Sequence, residues 1–549
     1  MNTIETIQQS FVAFLHTTFA FENTTVDQGL FTLNTDEQKQ QFGDLNSNIA
    51  MVLAKPLGKS PREIAQTIIS NFSHPFIEKV EIAGPGFLNF FLTSPAFKQL
   101  VLELHNQKEN FFKLNSTANK QSFSVEFVSA NPTGPLHLGH GRGGIIGDVL
   151  SNILQFIGHS VTREFYINDA GSQMQKLGNS FKIRCQQACG LEVSLPEESY
   201  HGTYLVDLAT QCIAEHGAAV IERPTTFFEE YAKTHLLAQQ QETLKNYGIE
   251  FDVWFSEKTL HTDGSIERAI ELLRNKGFVY EQDGALWFKS TEFGDDKDRV
   301  VRKANGELTY VAADIAYMKN KIDRGANRLV MVLGHDHHGY VLRLQALLKA
   351  LDLGATLDVI LYQLVKMKAS GQLVRMSKRA GNIVTLEDVI DTVGKDVSRF
   401  FYLNRKADAQ LEFDLDLALK KTEENPVFYL QYAYVRTNSI LTKAAEVKAL
   451  DDISAKDSAH LGTQEHLLIK KIVTLKSLLE SISTHYQTHQ LTYYALELAQ
   501  TFHAYYGKNR IIDIDNIATS RARLFVVMTL RNTLSTVLQL LEVERPEKM

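Results

Sequence analysis

The hydrophobic rhythm of this chain changes abruptly between residues 122 and 158. From Ser122 to Ser129 the apolar side chains Val125, Phe127 and Val128 predict a short strand. Asn131-Pro132-Thr133-Gly134-Pro135 then interrupts any regular element, because two prolines lack a donor N–H and fix φ. From Gly141 onward Ile145, Ile146, Val149, Leu150, Ile153, Leu154 and Ile157 recur at helical spacing, and Gly158 stops the run. Further on, Val161 to Ile167 predicts a second strand that ends in the turn Asn168-Asp169-Ala170-Gly171. Leu329-Val330-Met331-Val332-Leu333 is a continuous apolar run, as strands buried on both faces are, and Val359 to Val365 reads as another strand. Strands alternating with helices over residues 120–395 predict an α/β doubly wound, parallel-sheet domain, interrupted at about 175–300 by a mostly helical, acidic insertion.

The flanks have other rhythms. Residues 1–110 read as a separate α/β unit, with a helix opening within Phe42–Ala50 and two strands around a turn within Val80–Phe91; the polar stretch 107–121 reads as a linker. Residues 396–549 read as all-helical. Leu468, Ile472, Leu475, Leu479 and Ile482 form an amphipathic stripe, and Asn425-Pro426 is a good helix start, with Asn as cap and Pro at the first helical position.

Composition narrows this picture only slightly. A chain of 549 residues with 44% hydrophobic and 22% charged residues has ample core for several globular domains. It has no run long and apolar enough for a membrane span, and its first residues lack the pattern of a secretory signal. Cys185, Cys189 and Cys212 lack CxxC spacing, so no metal is expected and a reducing cytoplasm suits them. The net charge of −7 does not mark a nucleic-acid binder, yet it leaves local basic surfaces open.

Candidate chemistry sits where the rhythm changes. His137 and His140 are three apart on one face of the first helical turn, where unpaired backbone N–H groups attract anions, so this is a candidate phosphate site. Gly139, Gly141 and Gly144 also spell G-x-G-x-x-G, with Glu164 placed as a dinucleotide fingerprint requires. The Pro-rich turn between strand and first glycine argues against that alternative. Gly334-His335-Asp336-His337-His338-Gly339-Tyr340 ends a strand, where doubly wound sheets bind ligands; its one-segment spacing fits zinc poorly. Tyr310 and Asp314 are four apart on one predicted helical face, amid Ile, Ala and Tyr neighbours. A carboxylate buried there wants a cation, although Lys319 or Lys321 could supply it on an ordinary surface. Val374-Arg375-Met376-Ser377-Lys378-Arg379-Ala380-Gly381-Asn382 alone would read as a solvated basic loop; after a late strand, and paired with the histidines, it reads as a second phosphate-binding element.

His-Leu-Gly-His at 137–140 resembles the first signature of class I aminoacyl-tRNA synthetases, and Val-Glu-Phe-Val-Ser-Ala-Asn-Pro-Thr-Gly-Pro at 125–135 resembles the arginyl-tRNA synthetase family in particular. The 374–382 segment resembles the second signature, Lys-Met-Ser-Lys-Ser, in divergent form: Ser377 and Lys378 match, whereas Arg375 replaces the first lysine and Arg379 the last serine. The resemblance implies a Rossmann-like catalytic domain, an N-terminal domain leaning on the outer corner of tRNA and a helical anticodon-binding domain. It implies that ATP and L-arginine form arginyl-adenylate, and that arginine then passes to its tRNA. In that scheme His137 and His140 hold the α-phosphate, Lys378 with Arg375 holds the leaving pyrophosphate, and Gly139, Asp336, His338, Met376 and Ser377 complete the ATP site. Glu126, Asn131, Tyr310 and Asp314 bind arginine, whose planar fork pairs bidentately with carboxylates. ATP is a substrate and Mg²⁺ shares its phosphate charge. A cytoplasmic monomer is implied, with no membrane partner, no editing domain and an activation step that needs tRNA. Two alternatives are another class I synthetase, such as the cysteine enzyme, and a tRNA-binding paralogue without catalysis. The first leaves Glu126 and Asp314 unused and lacks zinc thiolates. Retention of His137, His140 and Lys378 speaks against the second, and Arg375 speaks for it.

Overall fold

The computed structural model describes residues 2–19, 30–115, 120–373, 385–450, 453 and 455–549. Its centre is a five-stranded sheet in which every neighbouring pair is parallel. In chain order its elements are β1 (Ser122–Glu126), α1 (Leu138–Ile157), β2 (Ser160–Ile167), β3 (Val253–Ser256), α2 (Tyr310–Asp323), β4 (Arg328–Gly334), α3 (Val341–Leu351) and β5 (Thr356–Tyr362). The spatial order is β5-β4-β1-β2-β3. Chain direction across the sheet therefore reverses between β1 and β4, and the carboxyl ends of these two strands flank the crevice where such sheets bind ligands.

Both faces of the sheet are covered. Along β4, Val330 and Val332 belong to one core while Leu329, Met331 and Leu333 pack on another, which is why the strand reads as an uninterrupted apolar run. In β1, Phe123 and Val125 point to the first core, and Ser124 and Glu126 point under α2. The strand stops at Glu126, short of the expected Ser129, because Val128 and Ser129 turn to positive φ, 68° and 42°. The helix begins at Leu138, three residues before the expected Gly141.

The 175–300 stretch holds more than helices. Helices Ser172–Ala188, Tyr204–His216 and Thr225–Asn246 share a small core around Leu177, Phe181, Leu205 and Phe228. The chain then rejoins the main sheet as β3 and forms an antiparallel three-stranded sheet from Val279–Gln282, Ala285–Phe288 and Arg299–Arg302. These short strands carry too little periodicity to stand out among helices.

The N-terminal unit is a four-stranded sheet with helices, including the two expected strands, Ile77–Ala83 and Phe87–Leu92. It fastens onto the helical C-terminal unit through Lys470–Asp44, 2.8 Å, and Phe97 stacked on His466, 3.9 Å between centroids. The C-terminal unit in turn is tied to α1: Arg399 is ion-paired with Asp148 and donates from Nε to the Leu541 carbonyl, 3.0 Å. Leu411–Asp414, beyond the expected boundary at 395, still pairs in parallel with Val365–Ala369 below β5.

Candidate active site

The crevice is built first by the β1–α1 connection. The Pro-rich turn is held from the insertion: Gln240 donates to the carbonyls of Asn131 (3.0 Å) and Gly134 (2.8 Å), and the Tyr204 hydroxyl donates to that of Thr133 (2.6 Å). Asn131 itself donates to Gln173, 2.9 Å. His137 then caps α1, its Nδ1 accepting the Gly139 N–H at 3.0 Å, while His140 Nδ1 accepts the His137 N–H at 3.2 Å. An Nδ1 that accepts carries no proton, so the neutral ring is the Nε2–H tautomer. The two rings stack 3.7 Å apart and present paired N–H donors beside a helix N-terminus.

The glycine-rich row of α1 serves packing. A Cβ at Gly139 would lie 2.9 Å from the His137 ring, at Gly143 2.7 Å from Tyr362, and at Gly147 2.2 Å from Phe127. Glu164 lies fully buried on β2, bound to Arg324 (2.7 and 2.8 Å), the Tyr317 hydroxyl (2.8 Å) and Ser124 (3.2 Å). It is committed to fastening α2 to the sheet and faces no crevice, which removes the dinucleotide reading.

The crevice's other wall is the β4–α3 connection. Asp336 and His338 lie there on an exposed turn, His335–Tyr340, with Asp336 3.6 Å from His337. A Cβ on Gly334 would meet the Asp336 carboxylate at 2.5 Å, so glycine lets this carboxylate fold back over the strand end. Among the described residues no group of three or more His, Cys, Asp or Glu gathers to hold a metal ion.

Between the walls lies a nest of carboxylates. Glu126 ends β1, buried, ion-paired with the equally buried Lys321 and accepting from Ser129, 3.1 Å. Asp314, on α2, has Arg343 Nη2 at 3.6 Å and accepts no hydrogen bond among the described residues; Lys319 turns instead to Asp323. Burial pushes the Asp314 carboxyl up to about 7; Arg343 and Lys321 pull it down, and Glu126 and Glu257 push it further up. Tyr310, one turn earlier on the same face, is 63% exposed at the mouth. Sequence reasoning missed Glu257, the first residue after β3. It is buried, 3.6 Å from His261 and beside Tyr166, and desolvation raises its pKa. The signal that could have found it is its place at the carboxyl end of a parallel strand.

The second basic element, with Arg375, Met376, Ser377 and Lys378, lies outside the described residues. Its flanks are described. Leu373 ends a hairpin with Val365–Ala369, and Thr385 bridges antiparallel to His137, with the Leu386 N–H donating to the Leu136 carbonyl at 2.8 Å.

Three family descriptions match this chain: tRNA synthetases class I (R), catalytic domain, over residues 101–409; DALR anticodon binding domain, over 430–549; and arginyl tRNA synthetase N terminal domain, over 5–92. The arginine–tRNA ligase of Syntrophotalea carbinolica is 42% identical over 518 residues, 93% of each chain. That of Bacillus subtilis is 41% identical over 525 residues, 94% of each. The arginyl-tRNA synthetase of Thermus thermophilus shares the fold, with a TM-score of 0.74 at 22% identity over 94% of this chain and 96% of that one. The chain belongs to the arginyl-tRNA synthetase family of class I aminoacyl-tRNA synthetases.

Proposed function

We propose that this protein is an arginine–tRNA ligase, activating L-arginine with ATP and transferring it to its tRNA. The observation that carries this reading is Asp314: a carboxylate at the crevice, 31% exposed, accepting no hydrogen bond among the described residues, with Glu257 and Glu126 beside it. Arginine's fork of donors fits such a nest, whereas a neutral side chain leaves the carboxylates unpaired, a mismatch able to reject by roughly 10⁴–10⁵. Asp314 and Glu257 take the guanidinium, with Tyr310 over it. Glu126, ion-paired with Lys321, lies beside them, and Asn131 lies at the α-amino end, beside the histidine turn.

The arginine carboxylate oxygen attacks the α-phosphorus of ATP. The bond to the bridging oxygen breaks, and its electron pair leaves with pyrophosphate. His137 and His140 donate from Nε2 to the α-phosphate oxygens, where charge builds, with Gly139 allowing their close fit. Lys378, with Arg375, Met376 and Ser377 in the same segment, holds the departing pyrophosphate. Asp336 and His338 hold the adenosine. Mg²⁺ bound with ATP would offset part of the phosphate charge.

For the tRNA, the helical unit offers Arg436 sandwiched between Tyr432 (4.4 Å) and Tyr506 (4.7 Å), both rings partly exposed, a surface suited to stacking on unpaired bases. Tyr505 is buried and bonded to Glu465, and belongs to the core. The division of labour is 1–110 for outer tRNA contact, 120–395 for catalysis and 396–549 for the anticodon. No helix among the described residues is long and apolar enough to cross a membrane, and we place the enzyme in the cytoplasm as a monomer. A charging assay with total tRNA and each amino acid in turn tests the reading: arginine alone should be attached, and attachment of another amino acid or of none would overturn it.

A further inference from the structure

We propose that Arg343 is a positioning residue for arginine selection, holding the Asp314 carboxylate charged but free of hydrogen bonds until the substrate's guanidinium arrives. The proposal rests on the placement of Asp314 in the arginine pocket.

Arg343 behaves unlike the other enclosed arginines. Arg142 gives its fork to three carbonyls, those of Gln363, Lys406 and Ala409, and Arg399 gives its own to Asp148 and the carbonyls of Tyr247 and Leu541. The Arg343 side chain is only 12% exposed, yet its Nε and Nη2 are buried without a hydrogen-bond partner among the described residues. Its guanidinium sits over the Tyr340 ring, 3.9 Å from the centroid, with Nη2 3.6 Å from Asp314 Oδ2. That distance is too long for a hydrogen bond and short enough for strong Coulomb attraction.

Asp314 needs such a neighbour. Glu126 and Glu257 face it with like charge, and Tyr166 lies within their shared field. Lys321, on its own helix, is committed to Glu126. Arg343 is the other cation that acts on it. Because it attracts without donating, all lone pairs of the carboxylate stay open to the incoming fork. An arginine suits the role: it stays charged at every working pH and stacks on an aromatic ring while weakly hydrated.

The test is the KM for arginine in tRNA charging, measured from about pH 6 to about pH 8.5, for the wild type, Arg343→Gln and Arg343→Lys. For Arg343→Gln the pH at which KM begins to climb should move up by about one unit, raising KM at pH 7 about fivefold with kcat little changed. Arg343→Lys should keep the wild-type midpoint. A KM raised equally at every pH, or a lysine variant behaving like the glutamine one, would overturn the proposal. Should Arg343→Gln not fold, Arg343→Met removes the charge at similar length: a midpoint moved up as expected for the glutamine variant supports the proposal and an unmoved one overturns it. Asp314→Asn is run alongside. Unchanged arginine KM there would overturn the pocket reading itself. Lost affinity there with an unshifted Arg343→Gln profile would overturn this proposal alone.

Discussion

The backbone of Thr385 is bridged antiparallel to that of His137. In the proposed phosphate site Lys378 acts together with His137, some 240 positions away in the chain. Lys378→Ala should slow adenylate formation by roughly 10²–10³ and leave arginine KM nearly unchanged, as expected for a cation aimed at charge that builds in the transition state. Single-turnover adenylate formation measures this, and an equal loss of arginine binding would make Lys378 a ground-state contact. Arg375→Lys should stay within about tenfold of the wild type, since the charge is kept.

His137 caps α1 and, in the proposed mechanism, donates from Nε2 to the α-phosphate, and the two roles can be separated. Asparagine is among the best cap residues and can accept the Gly139 N–H as Nδ1 does. His137→Asn should therefore unfold within about 1 kcal/mol of the wild type. Its adenylation rate should nevertheless fall by about 10². Retained activity would show that the imidazole is only a cap.

Arginine binding should depend on pH in a defined direction. In the proposed pocket arginine pairs with the ionised form of Asp314, whose carboxyl is pushed up to about 7. KM for arginine should be flat above that pH and climb about tenfold per unit below it. A flat profile from pH 8 down to pH 6 would remove Asp314 from the guanidinium site.

The same group links to stability. Its folded pKa is raised from 3.8 to about 7, so the native state favours the protonated form, and its contribution is lost as pH rises between those values. Asp314→Asn should abolish arginine charging yet melt higher than the wild type. That advantage should grow from pH 4 to pH 7 and level off above. Thermal melts across this range check the sign, and an advantage that shrinks with rising pH would contradict it.

The glycines of α1 give a purely structural prediction. Gly147→Ala places a Cβ 2.2 Å from Phe127, on the core between helix and sheet. Overpacking there should destabilise by about 1–3 kcal/mol. A neutral substitution, read by denaturant unfolding, would show that the helix can retreat.

How much of this was legible in the sequence depends on whether a residue's partner is near it in the chain. The β1–α1 junction was readable because strand, turn, cap and helix follow one another, and His137 and His140 face each other across one turn. The apolar run of β4 likewise announced its burial on both faces. Partners across the sheet had no such signal. Asp314 turned to Arg343 rather than to Lys319 or Lys321, and Lys321 reached Glu126 from 195 positions away. Glu257 went unnoticed because β3 is four residues long, and a strand that short has no period to read.

The most direct measurement is arginine-dependent ATP–pyrophosphate exchange, with and without total tRNA and with the other amino acids as controls. Exchange with arginine alone, dependent on tRNA, is the expected result. Exchange with a different amino acid would keep the fold and contradict the carboxylate pocket, and no exchange with ATP binding intact would contradict the catalytic assignment itself.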